Sequence, residues 1–111
     1  MIIMNADLYN LCGEIRETID SLYMFVKDND RITDKMFARA SETVARVLQG
    51  CDVDLVTLDS DCANFEFTAW DVLMDNHLIL ARDRRGKAAC RLLHTLQRQN
   101  QRLSRLIAAL D

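Results

Sequence analysis

The chain has 111 residues, half of them apolar, with three glycines and no proline. Such a composition excludes a disordered chain, supplies the core of one small domain, and in its runs of Leu, Ala, Glu, Arg and Gln favours helix throughout. The net charge of −3 conceals a sorting by position: seven acids and no Lys or Arg lie between Val47 and Ala81, then eight basic residues and one acid, Asp83, between Arg82 and Arg105. A block of −7 abuts a block of +7, a pattern that points to electrostatic docking, within the fold or onto a partner.

The first helix is predicted over Ala6 to Lys27, with Asn5 as its cap and Met4 stapled onto Tyr9. Leu8, Leu11, Cys12, Ile15, Ile19, Leu22, Phe25 and Val26 recur at three- and four-residue steps and form one apolar stripe. Asp28-Asn29-Asp30 is a turn-forming exit. The second helix opens on Thr33 as cap, with Ile32 stapled to Phe37, and presents Met36, Phe37, Ala40, Val44, Val47 and Leu48. Gly50 closes it in the left-handed conformation that glycine adopts cheaply.

Cys51 to Phe67 reads as a connector with a short helical turn around Asp59 to Phe65. Val53 to Leu58 partly alternates, but a lone strand has no sheet to join. A capping box, Thr68-Ala69-Trp70-Asp71, and a staple from Phe67 to Val72 predict a third helix from Thr68 to about Arg84. The apolar stripe changes phase at Gly86, which predicts a break or kink there; one unbroken helix from Thr68 to Leu110 is the alternative. The fourth helix, Lys87 to Leu110, repeats in sevens. Ala89, Leu96, Leu103 and Leu110 lie on one line, Leu92 and Leu106 on the next, and Gln99 and Asn100 fall where apolar residues are expected. A polar layer in such a seam sets register or oligomer state. The predicted architecture is therefore all-α, about four helices in a small bundle, with the seam of the last helix closing the bundle or pairing two copies as a homodimer.

Lys87, Arg91, Arg98, Arg102 and Arg105 follow helical steps on the face opposite the leucines. They read as a solvated or internally paired face, as a surface for an acidic protein partner, or as phosphate contacts for nucleic acid. The nucleic-acid assignment ranks below the protein partner, because the chain is acidic and no aromatic interleaves the stripe. Phe67 and Trp70, amid the acids, are the candidate partner anchors.

No phosphate loop, nucleophile elbow or metalloprotease motif is present, so neither an enzyme nor a cofactor is expected. Cys12, Cys51, Cys62 and Cys90 have no short ligand spacing and read as buried, inert thiols; a zinc site from Cys51, Cys62 and His77 or His94 is the weaker assignment. Met1-Ile2-Ile3-Met4 is too short for a signal peptide, and no apolar run is long enough to span a membrane. Together these features predict a cytoplasmic module, with no membrane contact, that binds and regulates another protein by masking its surface, as an anti-activator, adaptor or dedicated chaperone does. A nucleic-acid-binding regulator and a structural dimer subunit are the alternatives.

Overall fold

The structure, a computed structural model, describes residues 6–27, 33–75 and 84–110. They form four helices and no strand: α1 (Ala6–Val26), α2 (Thr33–Leu48), α3 (Leu55–Asp75) and α4 (Arg84–Leu110). Each helix packs against its neighbours in sequence, α4 returns to α1, and α1 touches α3 across the centre. Short connections between sequence neighbours make them antiparallel, so the chain is an up-and-down bundle measuring 48 × 23 × 19 Å.

The core is built from the stripes that periodicity predicts. Leu8, Leu11, Cys12, Ile15, Ile19, Leu22 and Val26 of α1 meet Ala40, Val44 and Val47 of α2 and Leu93, Leu96 and Leu103 of α4. Aromatic contacts tie three helices together: Tyr23 lies 3.9 Å from Phe37, and Phe37 lies 6.1 Å from Phe65. The Tyr23 hydroxyl also donates to Asp34 Oδ1 at 2.7 Å, fastening the end of α1 to the first turn of α2.

Gly50 ends α2 as its sequence position requires. Its φ is 78°, and the amides of Gly50 and Cys51 donate to the carbonyls of Val47 (3.1 Å) and Arg46 (2.9 Å). This paired return to the last turn is the Schellman arrangement.

Three expectations are corrected. The connector is helical from Leu55 onward, so Thr68 lies in the middle of α3 and caps nothing. The actual cap is Asp54: its Oδ1 accepts the Val56 amide at 3.3 Å, its Oδ2 accepts the Thr57 hydroxyl at 2.8 Å, and its carbonyl accepts the Leu58 amide at 3.0 Å. The staple from Phe67 to Val72 fails with it, since Phe67 points outward and Val72 inward. Finally, α3 and α4 are separate helices, as the phase change predicts and against the alternative of one unbroken helix, but the boundary does not fall at Gly86. Gly86 is buried in the first turn of α4, which begins at Arg84. The predicted caps and staples at residues 4, 5 and 32, the exit turn at 28–30, and the passage through His77, Leu80 and Ala81 lie outside the described residues, as does the Thr33 side chain.

Candidate protein interaction face on the third and fourth helices

α3 is apolar on two opposite sides. Leu58, Cys62, Phe65, Ala69, Val72 and Leu73 face the core. On the other side, Val56, Ala63, Phe67 and Met74 are exposed, with Val56 at 72%, Phe67 at 75% and Met74 at 48%. At 100° per residue these four positions fall within an arc of about 40° and run for about 27 Å. Trp70 lies beside the line, half-buried against the core, and with Ala63, Asn64, Glu66, Phe67, Asp71 and Met74 it lines an open groove.

α4 divides more simply. Leu96, Gln99, Asn100 and Leu103 are buried, and Leu92 and Leu106 are packed partly against the core, so the heptad seam closes the bundle of its own chain. Leu110, predicted on the same line, is exposed. The opposite face carries Arg84, Lys87, Arg91, Arg98, Arg102 and Arg105, all exposed and on one line of about 30 Å. Arg102 approaches Glu14 at 3.8 Å, with both side chains at least half exposed, and Arg98 reaches Thr95 Oγ1 at 3.4 Å. Surface contacts of this kind contribute little.

The acid block is held by neutral donors. Ser104 Oγ donates to Asp59 at 2.7 Å, Thr43 Oγ1 to Asp61 at 2.8 Å, and Asn100 Nδ2 to both Glu66 Oε1 at 2.9 Å and the Cys62 carbonyl at 3.1 Å. With Asp54 capping α3, four carboxylates are used inside the fold without drawing on the arginines. The reason is geometric: these acids lie on the flanks of α3 or at its start, whereas the arginines lie on the outward face of α4. Gln99 Oε1 and Asn100 Oδ1 are buried with no hydrogen-bond partner among the described residues. A polar layer therefore sits in the core where the sequence placed it.

The two faces meet at Trp70, whose ring stands edge-on to His94 of α4 at 5.5 Å and 77°. Arg91 and Arg98 lie one turn to either side of His94. The structure thus brings Phe67 and Trp70 alongside the middle of the basic line. Val56, Ala63 and Met74 belong to the same surface and were missed from the sequence, because treating Cys51 to Phe67 as a connector hides their spacing. The signal that finds them is Asp54 as cap: once α3 starts there, the exposed line is evident.

Cys12 and Cys62 are buried as expected, but Cys51 is exposed and Cys90 only partly buried. Burial pushes the Cys12 thiol up to about 11. It pushes Cys62 higher still, reinforced by the neighbouring Cys12, Asp61 and Asp59. Among the described residues no group of three or more His, Cys, Asp or Glu is placed to hold a metal ion, and no helix is long and apolar enough to cross a membrane. Comparison with protein-family models, with curated proteins and with solved structures found no significant match.

Proposed function

We propose that this chain is a cytoplasmic binding module, not an enzyme, that regulates another protein by covering an amphipathic helix of that protein with the outer face of α3 and α4. The observation that carries the reading is the pairing of two exposed lines: apolar side chains on α3 and arginines on the adjacent α4. A helix with one apolar face and carboxylates along one flank complements both at once, with Phe67 and Trp70 as apolar anchors. Arg91, Arg98, Arg102 and Arg105 then orient the encounter and raise its rate more than its affinity. The role is that of an anti-activator, adaptor or dedicated chaperone, which acts by occupying a surface its target needs.

The test compares capture from nuclease-treated lysate by the tagged chain, by Phe67→Glu and by the triple reversal R91E/R98E/R102E. The expected result is a protein that the parent retains, that both variants lose with helicity intact, and that contains an acid-flanked amphipathic helix. Retention unchanged in both variants removes this face from the account. Recovery that disappears with nuclease transfers the arginine line to a phosphate backbone, whose binding falls steeply with salt.

A further inference from the structure

We infer that the groove on α3 is a cation site, which takes the guanidinium of an arginine side chain presented by the helix that this face covers. The source of the arginine rests on the proposed function; the site itself does not. The proposed function gives a use to the arginines and none to the acid block. That block concentrates on α3, which carries five acids and no Lys or Arg. The groove runs along the second half of this helix, from Ala63 to Met74, and no Lys or Arg lines it. Its far end reaches the last turn, where the backbone carbonyls present the negative end of the helix dipole and no basic residue meets them. Side chains and backbone therefore give the groove one sign, and a cation complements it.

The lining suits a flat cation. Glu66 and Trp70 are four residues apart, and Phe67 and Trp70 three, so a carboxylate and two rings share one side of α3. Taken around the helix, Glu66 forms the rim nearest α4, Trp70 and Ala63 the floor, and Phe67 and Asp71 the opposite rim. Ala63 has only a methyl group, which leaves a hollow between Glu66 and Phe67. The two residues nearest α4 are held from behind. His94 stands edge-on to Trp70 at 5.5 Å, and Asn100 Nδ2 donates to Glu66 Oε1 at 2.9 Å. Glu66 Oε2 has no hydrogen bond among the described residues.

A guanidinium laid on the Trp70 ring directs its edge N–H groups at that oxygen, so it stacks and pairs at once. An ammonium is a compact, strongly hydrated point charge and gains less from the ring. A metal ion lacks ligands, since among the described residues no group of three or more His, Cys, Asp or Glu is placed to hold one. The arginines of α4 do not fill the site themselves. They lie on the outward face of that helix, and none forms an ion pair with Glu66 among the described residues. The helix that this face covers then has a more specific description: carboxylates along one flank, opposite the arginine line, and an arginine within its apolar face, opposite Trp70.

Trp70 is the sole tryptophan of the chain, so its fluorescence reports on the groove. The full chain is titrated with N-acetylarginine methylamide and, in parallel, with the citrulline compound, which has nearly the same shape and no charge, at constant ionic strength. The arginine compound should give a saturable change with half-saturation at about 1 mM, the affinity of one small ligand with a few good contacts. The citrulline compound should bind about 10-fold more weakly or not at all. Glu66→Gln should weaken the arginine compound by about 10-fold, as loss of a charge-assisted hydrogen bond does. Its amide oxygen still accepts from Asn100, so circular dichroism should be unchanged. A response that does not saturate, equal binding of the citrulline compound, or unchanged binding in Glu66→Gln overturns the site. R91E/R98E/R102E separates the two proposals: it should bind the arginine compound at least as tightly as the parent and yet lose the target protein. A chain that binds the arginine compound but captures no target keeps the groove and loses the proposed function. Capture of a target without binding of the arginine compound keeps the function and overturns the groove.

Discussion

At the residue scale, two glycines in similar company have opposite roles. Gly13 lies in the middle of α1, and a Cβ built on it meets nothing within 4 Å. Glycine there costs backbone entropy and gains no packing, so Gly13→Ala should stabilise the chain by about 0.8 kcal/mol. Gly50 has a φ of 78° and closes α2, so Gly50→Ala should cost about 1 kcal/mol or more. Urea unfolding of the two variants measures both signs, and equal effects would contradict the backbone assignment at position 50. The role of Gly50 was legible because it follows an apolar-periodic run, whereas that of Gly13 depends on the space around it, which sequence does not reveal. The thiols make a pH prediction. Cys12 and Cys62 are held protonated by burial above their ordinary range near 9.0. A raised thiol value means that the folded state binds more protons than the unfolded state once pH exceeds about 9. The stability contribution is therefore complete below pH 9 and is lost as pH rises through the folded value, at up to about 1.4 kcal/mol per pH unit for each thiol. Unfolding measured from pH 8 to 10.5 should show this fall, and replacing Cys12 and Cys62 by Ala should flatten it. An identical alkaline slope in the double variant would assign the loss to other groups.

At the element scale, the start of α3 separates a helix cap from a chance match to one. Thr68 and Asp71 satisfy the capping-box pattern, yet Thr68 lies well inside a helix that begins after Asp54. Asp54→Ala should therefore destabilise the protein by about 1 kcal/mol, while Thr68→Ala should stay within about 0.5 kcal/mol, because it removes no cap and improves helix propensity. Thermal unfolding of the pair decides, and the reverse ordering would restore the shorter helix. The stripes of α1, α2 and α4 were legible because each is apolar on one side only, so a 3.6-residue period stands out. α3 was not, because apolar residues on opposite sides cancel that period. Val56 and Phe67 on the outer side, set against Leu58 and Phe65 on the inner, resemble partial alternation. The ambiguity that obscured the helix is thus the same feature that leaves an apolar line exposed on its outer face, the surface proposed here for binding. The phase change in the stripe at Gly86 correctly marks α3 and α4 as separate helices, but it misplaces the boundary, because glycine is accommodated in the first turn of α4.

At the scale of the whole molecule, the sorted charges do not act as one internal clamp. The acids beside α2 and α4 are held by Ser104, Thr43 and Asn100, and the arginine line is left on the outside, with Arg102 and Glu14 forming an exposed pair. This division was not legible from net charge, because block charge carries no azimuth; it emerges only when α3 and α4 are laid side by side and each residue takes its angle around its helix. It leads to a prediction that separates an external role from a structural one. In R91E/R98E/R102E the mutated side chains are solvent-exposed, and the ion pair lost is between groups that are 60% and 51% exposed. Such a pair contributes at most about 1 kcal/mol, and the added carboxylates sit on a face that water already solvates. Stability should therefore fall by no more than about 1 kcal/mol, with helicity unchanged. A much larger loss would mean that the arginines support the fold electrostatically, and the structural-subunit reading would then replace the binding one. If stability holds, six like charges along about 30 Å of one helix remain without a structural use that explains their alignment. Their repulsion is then offset by what approaches them. The dependence of target association rate on ionic strength should show it, steep for the parent chain and shallow for the triple variant.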